Sequence, residues 1–180
     1  MSTLNALIEL PHFKKSPVIP KSCFIAPGAH VVGDVTFGED SSLWFNAVVR
    51  GDVNRIVVGN RSNIQDLSVV HVSSYDIPTV VGDDVTVGHG VILHACTIGN
   101  RVLIGMGSIV MDGAVIEDNV ILGAGSLVTQ GTKIPKGSRA FGRPAKVVGT
   151  LTDQERERIL WSSTRYQDIT RVYRESFAGR

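Results

Sequence analysis

From Ile19 onward the chain carries an aliphatic or aromatic residue at every sixth position: Ile19, Ile25, Val31, Phe37, Leu43 and Val49. The series resumes after a longer step at Val58, Ile64 and Val70, and after another at Val81, Val87 and Leu93. It then restarts one residue early at Ile98, followed by Ile104, Val110, Ile116, Leu122, Val128 and Ile134. Position i+4 is mostly small or β-branched, as in Ala29, Val35, Ser41, Val85, Val91, Val102, Ser108, Ala114, Val120 and Ser126, while Gly, Asp and Asn crowd the positions between. A period of six with two inward positions fits neither an amphipathic helix at 3.6 nor an alternating strand at 2. It is the hexapeptide pattern of a parallel β-helix, in which each unit supplies one short strand and one turn. At three units per coil the repeats make about six coils, and stacked strands ~4.8 Å apart give a prism roughly 30 Å long.

The pattern divides the chain into an N-terminal segment 1–18, a hexapeptide-repeat β-helix 19–149 and a C-terminal helix 150–180. Pro11, Pro17 and Pro20 argue against a long helix at the start. At the other end, after the turn-rich Phe141-Gly-Arg-Pro-Ala-Lys, Thr152-x-x-Glu155 reads as a capping box. Ile159, Leu160, Tyr166, Ile169, Tyr173 and Phe177 then form a stripe on one helical face, with a break expected near Ser162-Ser163. Such a helix covers the prism along one side, as repeat proteins require of their ends. The two long steps, Arg50–Val57 and Ser73–Val80, predict extra loops on the scaffold, where function tends to sit.

Composition narrows the function. Lys and Arg number 18 against 17 Asp and Glu, so no net charge draws the chain to nucleic acid or an anionic membrane. No run is long enough to span a bilayer and the start lacks a secretory leader pattern, so the expected location is cytoplasmic. Two cysteines, Cys23 and Cys96, are too few for a disulfide framework and read as buried thiols.

Three of the five histidines, His71, His89 and His94, cluster beside the interruptions. If every third unit shares a face, His71 and His94 occupy the same i+1 position on neighbouring coils. Two ligands of a tetrahedral zinc ion have nitrogens roughly 3.3 Å apart, which stacked imidazoles reach by leaning together. His89 lies on the preceding face, around a corner, and is placed to join the pair from a neighbouring chain. A closed heterologous ring of prisms therefore predicts a homotrimer with three interfacial sites. Arg50 falls one coil below His71, Asp66 beneath His89, and Gln65, Asp52 and Asn63 nearby; carboxylates beside histidine ligands commonly orient them.

Taken together, Arg50-Gly-Asp52-Val-Asn, Asn63-Ile-Gln65-Asp66 followed by His71, Gly88-His89, His94 and Ile98-Gly99 resemble the gamma-class carbonic anhydrase family over nearly the whole chain. The resemblance implies an all-β fold, a left-handed parallel β-helix of hexapeptide repeats with a C-terminal α-helix. It implies a homotrimer binding zinc, with iron or cobalt as substitutes, through His71, His89 and His94, and hydration of carbon dioxide to bicarbonate by hydroxide formed at the metal. On the family pattern Gln65 contacts the metal-bound water, Arg50 and Asp52 organise the interface, and Tyr166 approaches from the helix. Glutamates of an acidic loop that assist proton transfer in active members are missing: the stretches read Asp52-Val53-Asn54 and His71-Val-Ser-Ser74-Tyr75, with Tyr75 and Asp76 as substitutes. Their absence predicts slow turnover.

Each residue also has a structural reading. Arg50, Asp52 and Asp66 suit interface ion pairs, Gln65 suits a turn cap, and Tyr166 on a helical stripe suits the core. Two other functions compete: a hexapeptide acyltransferase or acyl-CoA thioesterase using one histidine base, and a non-catalytic metal-binding trimeric scaffold.

Overall fold

The structure, a computed structural model, describes residues 10–73 and 77–178. Parallel strands stack in register through three rows of the repeat. Leu43 pairs with Ile64, Ile64 with Val87, and Val87 with Ile104 on the first face. Val49, Val70, Leu93, Val110 and Val128 follow one another on the second. Phe37, Val58, Val81, Ile98, Ile116 and Ile134 do so on the third. All of these side chains are buried in one continuous core. The early restart at Ile98 keeps its row, so the missing residue is taken from the corner at Ala95, which adopts φ of 46°. The fold class is the expected one, a parallel β-helix with a C-terminal helix.

The first interruption departs from expectation. Instead of a protruding loop, Val48–Val58 is one long strand that turns the corner between the second and third faces. It pairs with His30–Phe37, but Gly33 opposes Gly51 while Val35 opposes Ile56, so Asp52–Arg55 face the single residue Asp34. These extra residues form a bulge that aims the buried Asp52 carboxylate back along the second face. The backbones approach so closely that a Cβ on Gly33, at φ of 80°, would lie 2.2 Å from the Gly51 carbonyl oxygen. Glycine is required there. In the second interruption, Tyr75 and Asp76 lie outside the described residues.

The corner between the third and first faces is stitched by polar side chains. The Asn60 backbone N–H donates to Asp83 Oδ1 (2.7 Å), that of Asp83 to Asn100 Oδ1 (2.9 Å) and that of Asn100 to Asp118 Oδ1 (2.7 Å). Each side chain thus satisfies a turn donor of the neighbouring coil, one of the groups that would otherwise lack a partner. Arg61 adds a two-pronged bond to Asp84.

The helix Asp153–Ala178 lies against the first face. Its capping box forms: Glu155 N–H donates to Thr152 Oγ1 (3.3 Å) and Thr152 N–H to Glu155 Oε2 (2.8 Å). No break occurs at Ser162-Ser163. Ser163 is buried and donates to the Arg61 carbonyl (2.9 Å), which joins the middle of the helix to the polar corner. Leu160, expected in the buried stripe, is exposed, while Ile159 beside it is buried. Farther along, Tyr166, Ile169, Tyr173 and Phe177 pack on Phe24 and Trp44. No helix among the described residues is long and apolar enough to cross a membrane.

Ile64 is fully buried at the middle of the first row, between Leu43 and Val87. Ile64→Ala removes side-chain volume that the stacked coils cannot close up, and a loss of about 2–5 kcal/mol is expected in urea unfolding.

Candidate metal centre

Strands Val69–His71 and Ile92–His94 are parallel neighbours in a register that sets His94 directly on His71, with Arg50 below. His71 Nδ1 lies 3.2 Å from His94 Nε2, and the rings are tilted by 54°. Each ring's other nitrogen faces a carboxylate: His71 Nε2 is 3.0 Å from Asp52 Oδ1, and His94 Nδ1 is 2.5 Å from Asp112 Oδ1. Ionised carboxylates only accept hydrogen bonds, so each carboxylate takes the single N–H of a neutral imidazole. The two nitrogens that face one another then both present lone pairs. Such a pair repels unless a cation lies between, and its spacing matches the roughly 3.3 Å between two nitrogens on one tetrahedral zinc. The donor set fits a metal ion.

The electrostatics support a neutral His71 ring. Burial would raise the Asp52 carboxyl, but hydrogen bonds from His71 and Arg50 outweigh it and hold Asp52 below the usual carboxylate range. Burial pushes His71 down, against the opposing pull of Asp52. Arg50 donates to Asp52 Oδ2, so the guanidinium acts on the pair through that carboxylate. The chain Asp52, His71, His94, Asp112 runs along four successive coils.

His89 is elsewhere. Its Nδ1 is 2.7 Å from Asp66 Oδ2, at the corner leaving the first face, and is 48% exposed. Asp66 Oδ1 also accepts from the Phe45 N–H (3.1 Å), which fixes the carboxylate. Gln65, one residue before, is buried and donates to Asn63 Oδ1 (3.1 Å), and Asn63 donates to Thr86 Oγ1 (3.0 Å). The next residue, Leu67, is held at φ of 61° with its side chain 66% exposed. A bulky aliphatic residue is strained in that conformation, and such strain concentrates at sites that use it.

The sequence-nominated residues thus fall into two groups: His71, His94, Arg50 and Asp52 on the second face, and His89, Asp66, Gln65 and Asn63 on and beside the first. Among the described residues, no three His, Cys, Asp or Glu side chains of one chain come together as a metal site. Tyr166 packs edge-on against Trp44, with ring centroids 5.3 Å apart. Burial, with the nearby Asp66 charge, pushes its phenol up to about 12. Its packing on Trp44 is the core-facing reading. Cys96 is buried and its thiol is pushed up to about 12 by burial, as expected of an inert packing residue.

Asp112 escaped the sequence reading. The signal was present, because Val110 stacks on Leu93 and so brings Asp112 to the coil above His94.

Comparison with known proteins places the chain. Residues 95–130 match the family model "Bacterial transferase hexapeptide (six repeats)". The chain is 52% identical to a carbonic anhydrase of Geobacillus kaustophilus over 152 residues, covering 83% of each protein. It is 43% identical to gamma carbonic anhydrase 1, mitochondrial, of Arabidopsis thaliana over 166 residues, covering 89% of this chain and 60% of that longer protein. The crystal structure of a hexapeptide transferase family protein from Anaplasma phagocytophilum superimposes with a TM-score of 0.84 at 45% identity, covering 87% of this chain and 92% of that one.

The raised Tyr166 phenol gives a pH signature. Its proton is held more tightly in the folded chain than in the unfolded one, where phenols titrate near 10. The stability it contributes is complete below about pH 10 and declines as pH rises toward about 12. Denaturation midpoints measured from pH 8 to 11.5 should therefore fall less steeply for Tyr166→Phe than for the unmodified protein.

The stacked hexapeptide coils, the paired histidines on them and sequence identities of 43–52% with carbonic anhydrases over 83–89% of the chain lead to one conclusion: the chain belongs to the gamma carbonic anhydrase family.

Proposed function

We propose that the protein hydrates carbon dioxide to bicarbonate at a metal ion shared between two chains of a homotrimer. The observation that carries this reading is the convergence of the His71 and His94 lone pairs, 3.2 Å apart, each backed by a carboxylate. The third ligand is His89 from the adjacent chain, whose Nδ1 is held by Asp66 and whose Nε2 is left for the metal. Zinc suits three neutral imidazoles with a fourth position open, and iron or cobalt are the substitutes. A metal so bound lowers the pKa of water to about 7 and so supplies the nucleophile for carbon dioxide.

The chain's own residues do the rest. Asp52, held by Arg50, and Asp66 fix the orientation of His71 and His89. Gln65, anchored through Asn63 to Thr86, offers an amide to orient the attacking oxygen. Tyr166, neutral throughout the physiological range, is a hydrogen-bond donor and not a base. No glutamate stands beside the histidines in sequence, and the carboxylates nearest the rings, Asp52, Asp66 and Asp112, are engaged in holding them. Proton removal is then the slow step.

The second face also supports assembly. Val48, Val69, Ile92, Ile109 and Leu127 form an outward apolar ladder alongside His71 and His94, with Val69 and Ile92 exposed in the single chain. Leu67 projects from the corner beside His89. Burying such surface against a neighbour favours association.

Stopped-flow hydration of carbon dioxide on zinc- and iron-loaded protein should show a metal-dependent rate that His94→Ala abolishes. No metal-dependent rate would sink the hydratase reading in favour of a scaffold or an acyl-CoA reaction. Sharing of the site is tested by refolding His89→Ala and His94→Ala chains together. Neither variant alone forms a complete site, but in random mixed trimers about a quarter of the interfaces pair an intact His94 with an intact His89. Recovery of about that fraction of bound metal is expected, and no recovery would refute the shared site.

A further inference from the structure

We infer that Asp112 is a positioning residue for the metal centre, fixing the tautomer and ring orientation of His94 from the coil above. The inference rests on the three-histidine reading and adds a group to it. Asp112 Oδ1 approaches His94 Nδ1 at 2.5 Å, and Asp112 forms no ion pair with a Lys or Arg among the described residues. An ordinary surface carboxylate on a β-helix corner would be solvated or paired with a cation; this one is directed at a ring.

The local geometry explains how it reaches. The unit carrying His94 is one residue short, running from Leu93 to the residue before Ile98, and its corner is made by the buried Ala95 at φ of 46°. The unit above runs the full six residues from Val110 to Val115, and its corner is Asp112-Gly113. Gly113 N–H donates to the Ala95 carbonyl (2.7 Å), and the Asp112 carbonyl accepts from Gly131 N–H (2.9 Å). The Asp112 backbone is therefore held between coils on both sides. Below it the small Ala95 side chain leaves the carboxylate free to turn toward His94.

The consequence is a two-sided clamp. Asp52 engages the far nitrogen of His71 from the coil below, and Asp112 engages the far nitrogen of His94 from the coil above. The two inner nitrogens are left as acceptors facing each other at 3.2 Å. Without Asp112, the His94 proton is free to move to Nε2, where it donates to His71 Nδ1. That tautomer closes the pair by a hydrogen bond and removes one of its two lone pairs from the metal.

The test is metal affinity, measured by zinc competition with a chromophoric chelator, together with the visible spectrum of the cobalt(II)-substituted protein. Asp112→Ala should weaken zinc binding 10–100-fold and change the cobalt bands. Asp112→Asn, which keeps an acceptor oxygen without the charge, should recover part of both. Melting of the metal-free proteins separates a fold defect from a site defect. If Asp112→Ala lowers only the metal-free melting temperature, with affinity and spectrum unchanged, the inference is overturned. If the unmodified protein binds no zinc at all, the three-histidine reading fails, and this inference with it. Loss of affinity in Asp112→Ala beside a metal-binding unmodified protein supports both.

Discussion

The spacing of parallel strands, ~4.8 Å along the prism, is the constraint on which the rest of the structure depends. Main-chain hydrogen bonds between coils fix register to the residue, so a side chain at one position of a unit always meets its equivalents above and below. In the interior this makes continuous columns of Ile, Leu and Val. At the polar corner it puts each Asn or Asp side chain over the turn donor of a neighbouring coil. On the second face it sets His94 on His71. One backbone spacing thus serves core packing, turn satisfaction and the pairing of two histidines.

Departures from the repeat gather beside the paired histidines. A regular corner has no room for extra residues, and the insertion after Gly51 is absorbed as a bulge that drives Asp52 under His71. The deletion after His94 tightens the corner at Ala95 and brings Asp112 within reach. Both changes are short and both act beside the same pair of rings, while the rows of core residues continue through them undisturbed.

Much of this was legible in the sequence because a six-residue period converts position into place. The rule that every third unit shares a face puts His71 and His94 at one position of neighbouring coils from spacing alone, and the strand register does the same. The bulge was not legible: three surplus residues are equally compatible with a loop, and only the close approach of Gly33 to Gly51 makes them part of a strand. Leu160 was misplaced because the helical stripe is set by which face Ser163 and Ile159 present to the prism, a tertiary matter. The continuity through Ser162-Ser163 has the same origin, since serine is a weak helix former unless its hydroxyl finds a partner.

The C-terminal end of the prism has a consequence for solubility. A stack of parallel coils could in principle accept another molecule's first coil onto its last and grow into a filament. Here the final strand of the first face, Ser138–Gly142, is covered by Ala145–Thr150 running antiparallel. The other two faces end in strands of two residues, Leu127–Val128 and Lys133–Ile134, the latter carrying a charge at its edge. An incoming chain would meet the wrong strand polarity on one side and short or charged edges on the others. End-to-end growth is blocked by the same return of the chain that leads into the helix.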